Sequence, residues 1–141
     1  FAELMSESNI NILAMFIQNA SDYVHEMFEA RGKAIRRTAS AASYGSVMKE
    51  AKKYSLIRVL VDNQAKALKA LKEGQYWVNT KEVLVMNLQN KPGTLARISK
   101  QFGQARININ YVYGSGASTA KRALYVFNVP NVDKAITALR S

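Results

Sequence analysis

The stretch ISKQFGQARININYVYG, residues 98–114, decides the fold, because a second stretch of the chain follows its pattern. Residues 1–17, FAELMSESNINILAMFI, lie on it without a gap. Met5 then falls on Phe102, Ile10 on Ile107, Asn11 on Asn108 and Ile12 on Ile109. Further along, LIRVLVDNQAKALKAL (56–71) lies on LYVFNVPNVDKAITAL (124–139), matching Val61 to Val129, Lys66 to Lys134, Ala67 to Ala135 and Leu71 to Leu139. Two matches in the same order mean two copies of one unit, and an internal repeat sets the architecture before any local propensity does.

The second copy reads in full. EVLVMNL (82–88) is rich in strand formers, and KPGTLARISKQFGQA (91–105) spaces Leu95, Ile98 and Phe102 as a helix does. RININYVYG (106–114) alternates Ile107, Ile109, Tyr111 and Tyr113 as a strand, and GSGAS (114–118) is a turn. RALYVFNV (122–129) reads as a strand, and NVDKAITALR (131–140) as a helix. This β-α-β-β-α order lacks one strand of the split βαβ, or ferredoxin-like, unit. The fold class expected is therefore α+β, with two βαββαβ units on antiparallel sheets, spanning residues 1–80 and 81–141.

The first copy is expected to end in a strand at YWVNT (76–80), after a helix 64–73 stopped by Gly74. By the repeat, its opening strand, turn and half of its first helix would lie upstream of Phe1. Residues of about 19–53 interrupt it as a helical insertion. There Tyr23, Val24, Met27 and Phe28, extended by Ile35, make one apolar stripe, and SVMKEAKKY (46–54) makes a second short helix capped by Ser46. Between them TASAAS (38–43) is a break. The methionines Met5, Met15, Met27, Met48 and Met86 read as core filler, and Trp77 as a core or interface anchor.

Bulk composition narrows the chemistry. A 141-residue chain that is 48% hydrophobic folds into one or two small domains rather than staying disordered. It has no apolar run near the roughly 18 residues of a membrane helix, so no membrane association is expected and a cytoplasmic location is. The absence of Cys excludes thiolate nucleophiles and Cys-ligated metals, and His25 is the sole His. His25 and Glu29 stand four residues apart, as do Asp22 and Glu26, but this reads as a solvated helix face opposite Tyr23 and Phe28. RRTAS (36–40) reads as a cation-rich helix end. No metal, no cofactor and no catalytic residue are expected. The net charge of +10 suits an anionic partner, although no block of five or six like charges occurs.

VLVMNLQNKPGTLARISKQFGQARININYVY (83–113) resembles the ACT domain, a small regulatory ligand-binding module. The resemblance rests on Asn90-Lys91-Pro92-Gly93, on Leu95-Ala96, and on Ile107-Asn108-Ile109. It implies a tandem ACT protein without a catalytic domain, of ferredoxin-like fold, that homodimerises and binds an amino acid or similar metabolite between ACT units. It also implies a site at Asn90, Lys91, Pro92, Gly93, Thr94 and Leu95 of one unit, with Asn108, Ile109 and Asn110 of an adjoining one, repeated in the first copy by Asn9 and Asn11. A protein partner would read the ligand's effect. Physically, a glycine lets a ligand approach the backbone, Pro92 suits the first turn of a helix, and the free N–H groups there suit a carboxylate. Asn amides both donate and accept.

Two other readings compete. The RNA recognition motif shares the β-α-β-β-α-β order, and Tyr125 and Phe127 lie on one strand face, as its stacking aromatics do. Leu84 stands where its first-strand aromatic would be, and no basic-Gly-Phe lead-in precedes Tyr125, so nucleic acid is the lesser expectation. The third reading is a purely structural dimerisation module. A phosphate loop fails on spacing, since GSG (114–116) lies between strands rather than before a helix.

Overall fold

The computed structural model describes residues 1–30, 41–117 and 119–140. Among them run α1 (Ala2–Glu7), β1 (Ile12–Asn19), α2 (Ala20–Ala30), α3 (Ala41–Ala51), β2 (Ser55–Val61), α4 (Gln64–Glu73), β3 (Leu84–Gln89), α5 (Thr94–Gln104), β4 (Tyr111–Ser115), β5 (Arg122–Asn128) and α6 (Val132–Arg140). The fold is α+β, with a two-stranded sheet β1-β2 and a three-stranded antiparallel sheet in the order β3-β5-β4. That order places the third strand of the copy between the first and second, as a ferredoxin-like unit requires. Contacts divide the chain into one compact unit of Phe1–Met15 with Val59–Ser141, and another of Phe16–Arg58.

The repeat has a physical cause in the way helices stop. After α5, Arg106 adopts φ 54°. Its N–H donates to Gly103 O (3.0 Å), and the Ile107 N–H to Phe102 O (2.8 Å). This pair of bonds is the Schellman motif, which satisfies two orphan carbonyls and folds the next apolar residue back onto the helix. After α1, Asn9 takes φ 49°, and Asn9 and Ile10 donate to Ser6 O and Met5 O. The aligned pairs Met5–Ile10 and Phe102–Ile107 are thus the same buried contact, and all four side chains are buried. The second helices share their N-caps: Asn63 Oδ1 accepts from Lys66 N–H (3.0 Å), and Asn131 Oδ1 from Lys134 N–H (2.8 Å).

Each copy owns a core. In the second, Ile98 and Phe102 of α5 and Ala135 of α6 meet Phe127 of β5, with Leu84, Met86, Leu88 and Tyr125 packed around them. Phe102 and Phe127 meet edge to face at 5.9 Å. Tyr125 and Phe127 therefore belong to the helix-packed side of the sheet, and Phe127, 1% exposed, is not available to stack a base. In the first copy Met5, Ile10, Ala67, Ala70 and Leu71 form the core, with Val61 and Val78 against it.

Several expectations give way. No strand forms over 76–80. Gly74 caps α4 as expected, Gln75 beyond it turns the chain at φ 60°, and the Tyr76 N–H is consumed by Leu71 O (2.9 Å). Tyr76 then meets Phe1 edge to face at 6.2 Å, and Val78 packs on the core, so the segment is anchored by side chains and has no ladder to join. Trp77 is 89% exposed, which removes it from the core, and Met15 is exposed too. The strand expected over 106–114 begins only at Tyr111, because Arg106 and Ile107 are spent on the helix stop.

The insertion holds two helices, α2 and α3, packed on each other. Their unit also contains an Arg58 guanidinium 5.8 Å over the Phe16 ring, and the Ala20 N–H donating to Tyr54 O (3.1 Å). The second helix starts at Ala41, so Ser46 lies inside it rather than capping it, and alanines are good helix formers. Ile35 and the RRTAS stretch lie outside the described residues.

The Pro-Gly junction is a type II turn. Pro92 follows Lys91, Gly93 holds φ 86° and ψ −15°, and the Thr94 N–H returns to Lys91 O (3.3 Å). Type II needs a positive φ at its third position, which only glycine takes without strain. Pro92 thus precedes the helix instead of opening it, and Gly93 is the N-cap.

A Cβ at Gly93 would meet nothing within 4 Å, so Gly93→Ala isolates the backbone strain. Denaturant unfolding of that variant is expected to show a loss of about 1–2 kcal/mol. Conversely, Arg106→Gly relieves a left-handed non-glycine residue and is expected to gain up to about 1 kcal/mol. Were Arg106→Gly destabilising instead, the helix-stop account of the repeat would be wrong.

Candidate functional site

The type II turn forms one wall of a cleft of about 570 Å³, lined by Leu88, Gln89, Lys91, Pro92, Gly93, Thr94, Arg97 and Arg122. Of the expected ligand residues, Lys91, Pro92, Gly93 and Thr94 line this cleft, whereas Asn90 and Leu95 do not. Asn90 clamps the β4–β5 connection, its Nδ2 donating to Ala120 O (3.2 Å) and, at longer range, to Ala117 O (3.4 Å). Its N–H donates to Lys121 O (2.9 Å).

No side chain caps α5, whose N-cap is Gly93. The Thr94 N–H is used by the turn, while those of Leu95 and Ala96, in the helix's first turn, have no carbonyl partner within the helix. Thr94 is buried and brings a hydroxyl to the cleft wall.

Two cations here escape sequence reasoning. Arg97 follows the turn residue Gly93 by one helical turn, and its N–H donates to Gly93 O (3.0 Å). Its guanidinium Nη1 reaches Gln101 Oε1 (3.3 Å). Arg122 opens β5 opposite Gln89, and its guanidinium donates to Asn87 through Nε to Oδ1 (3.3 Å) and through Nη2 to the carbonyl. The helical spacing around Gly93 could have flagged Arg97; Arg122 becomes visible only once the β3–β5 register is known.

The other half of the expected site sits elsewhere. Asn110 donates from its N–H to Asn128 O and from Nδ2 to Asn128 Oδ1, both at 2.9 Å. Asn128 Nδ2 donates to Glu82 O (3.1 Å). These residues line a second cleft of about 450 Å³ with Lys81, Glu82, Asn131 and Asp133. Tyr111 pairs with Asn128 and Gln89 with Arg122, so the two clefts lie at opposite ends of β5, roughly 20 Å apart at strand rise. Asn108 is exposed, and Ile109 packs on the core.

In the first copy Asn11 exchanges bonds with Asp62: Asn11 N–H to Oδ1 (3.1 Å), and Asp62 N–H to Asn11 O (3.2 Å). Asn9 is the left-handed residue that ends α1 and aligns with Arg106, not with Asn108. Elsewhere His25 and Glu29 pair at 3.3 Å on the exposed face of α2. Among the described residues no group of three or more His, Asp or Glu could hold a metal.

The comparisons with known proteins agree with this architecture. A solved structure, protein BT0572 from Bacteroides thetaiotaomicron, shares the fold with a TM-score of 0.68 at 24% identity, over 99% of this chain and 74% of that one. No curated protein matches the chain. A family model described as an ACT domain pair matches residues 8–139, which takes in most of the first copy with the insertion inside it and nearly all of the second. The chain belongs to the ACT domain pair family, whose domains are regulatory modules that commonly bind small molecules and often oligomerise.

Proposed function

We propose that this chain is a non-enzymatic, homodimeric, cytoplasmic regulatory module that senses an amino acid or similar small metabolite between ACT units, taken as residues 1–80 and 81–141. The observation that carries the reading is the cleft at the Pro-Gly turn, where Lys91, Arg97 and Arg122 stand beside an uncapped helix start. Outward N–H groups at a helix start donate to a carboxylate, and cations add to their pull. No described helix is long and apolar enough to cross a membrane.

The asparagines at 108 and 110 are the proposed second half of the site, offered by an adjoining unit. Within one copy Asn110 and the turn stand at opposite ends of the sheet, so a ligand touching both must bridge two units. Bridging supplies the regulatory step. A ligand that binds one arrangement of the units more tightly shifts the population toward it, and that differential affinity is the sole source of signal for a protein partner.

Thermal-shift screening of the twenty amino acids on the full chain tests this. A ligand at about a hundredfold its Kd adds about 2.7 kcal/mol of apparent stability, enough for a shift of several degrees. At least one amino acid is expected to give it, and Gly93→Val, if folded by circular dichroism, is expected to abolish it. If none of the twenty shifts the melting point, a structural dimerisation role becomes the better account.

A further inference from the structure

The charge of the second copy is sorted by position. Residues 81–141 hold two acids, Glu82 and Asp133, and both line the Asn110 cleft at the far end of the sheet. The cleft at the turn has none: its lining offers the Lys91 ammonium, two guanidinium groups and no carboxylate. Lys121 lies next to it in the chain, its carbonyl holding the Asn90 N–H. Three like charges gathered around one small cleft repel one another, and no acid in the cleft wall offsets that.

This imbalance constrains the occupant. An ordinary zwitterionic amino acid matches the cleft with its carboxylate but brings an ammonium to a wall with no anion to receive it. A ligand carrying a second negative charge meets the wall twice. Guanidinium groups suit such a ligand, because they take carboxylate or phosphate oxygens in paired bonds, and charge-assisted bonds are about twice as strong as neutral ones. Arg122 is further oriented by its two bonds to Asn87, which hold the guanidinium against the strand while leaving other N–H groups to the cleft.

Resting on the small-ligand reading above, we propose that the turn cleft selects small dianions, with Lys91, Arg97 and Arg122 as the residues that set that preference. The shared chemistry is two negative charges within one small molecule, supplied by a dicarboxylate or by a phosphate.

Calorimetric titration of the full chain at low and high salt tests it with matched probes. Succinate, a dianion without an ammonium, is set against its monoamide succinamate, L-aspartate against L-asparagine, and inorganic phosphate is titrated alone. Succinate or phosphate is expected to bind about tenfold or more tighter than succinamate and the neutral amino acid, with the preference shrinking at high salt. The succinate and phosphate arms tell the two sources apart. Arg97→Gln and Lys91→Gln, both at exposed positions, are expected to cut the preference several-fold while leaving the circular dichroism unchanged. Arg122→Gln is a third arm should either of these fail to fold. A neutral amino acid binding as tightly as the dianions would overturn the charge inference and leave the sensor reading standing. Binding of none of the twenty amino acids, succinate or phosphate would remove both. Salt-sensitive binding of single-stranded RNA that no dianion displaces would assign the cations to a nucleic acid instead.

Discussion

The reversal of the chain after Phe102 governs the second copy. Phe102 is fully buried, and Ile107 is folded back to within the same core by a residue held at positive φ. The two backbone bonds that make the reversal satisfy carbonyls that a helix end leaves orphaned, so the contact and the hydrogen bonds reinforce each other. Met5 and Ile10 repeat the arrangement in the first copy. Fixing this corner fixes where the next strand can start. Residues 107–110 are used in coming off the helix, and pairing begins at Tyr111.

From that start follows the distribution of function. Pairing of Tyr111 with Asn128 and of Gln89 with Arg122 sets the asparagines at one end of β5 and the Pro-Gly turn at the other. The turn end gathers cations beside an uncapped helix, while the asparagine end carries both acids of the copy. A ligand joining the two ends needs a second unit, and this geometric fact makes the module, as proposed, a sensor of arrangement rather than a simple receptor.

Much of this was legible because it repeats. The aligned residues Met5 and Phe102, Ile10 and Ile107, and Ala67 and Ala135 are buried in equivalent places, and the Pro-Gly pair announces a turn through the φ values those residues favour. Helix α4 matches its expected span of 64–73. The failures have physical causes. Tyr76–Thr80 looks like a strand by composition, but strand propensity is a statement about having neighbours, and side chains hold this segment instead. Alternation at 106–111 mimicked a strand because a helix stop also places apolar residues at intervals. Ala41–Ser43 read as a break because local composition names no packing partner for a helix, and the helix they open, α3, packs on α2. Arg122 stayed hidden because its neighbour in the cleft comes from register, which sequence spacing does not encode.

Whether ligand seats on the turn is read most directly by amide chemical-shift mapping. With backbone assignments in hand, the full chain is titrated with pooled amino acids. The largest shifts are expected on the amides of Gly93, Thr94, Leu95 and Ala96. Shifts confined to Asn110, Asn128 and Asn131, with the turn amides unmoved, would refute a seat at the turn.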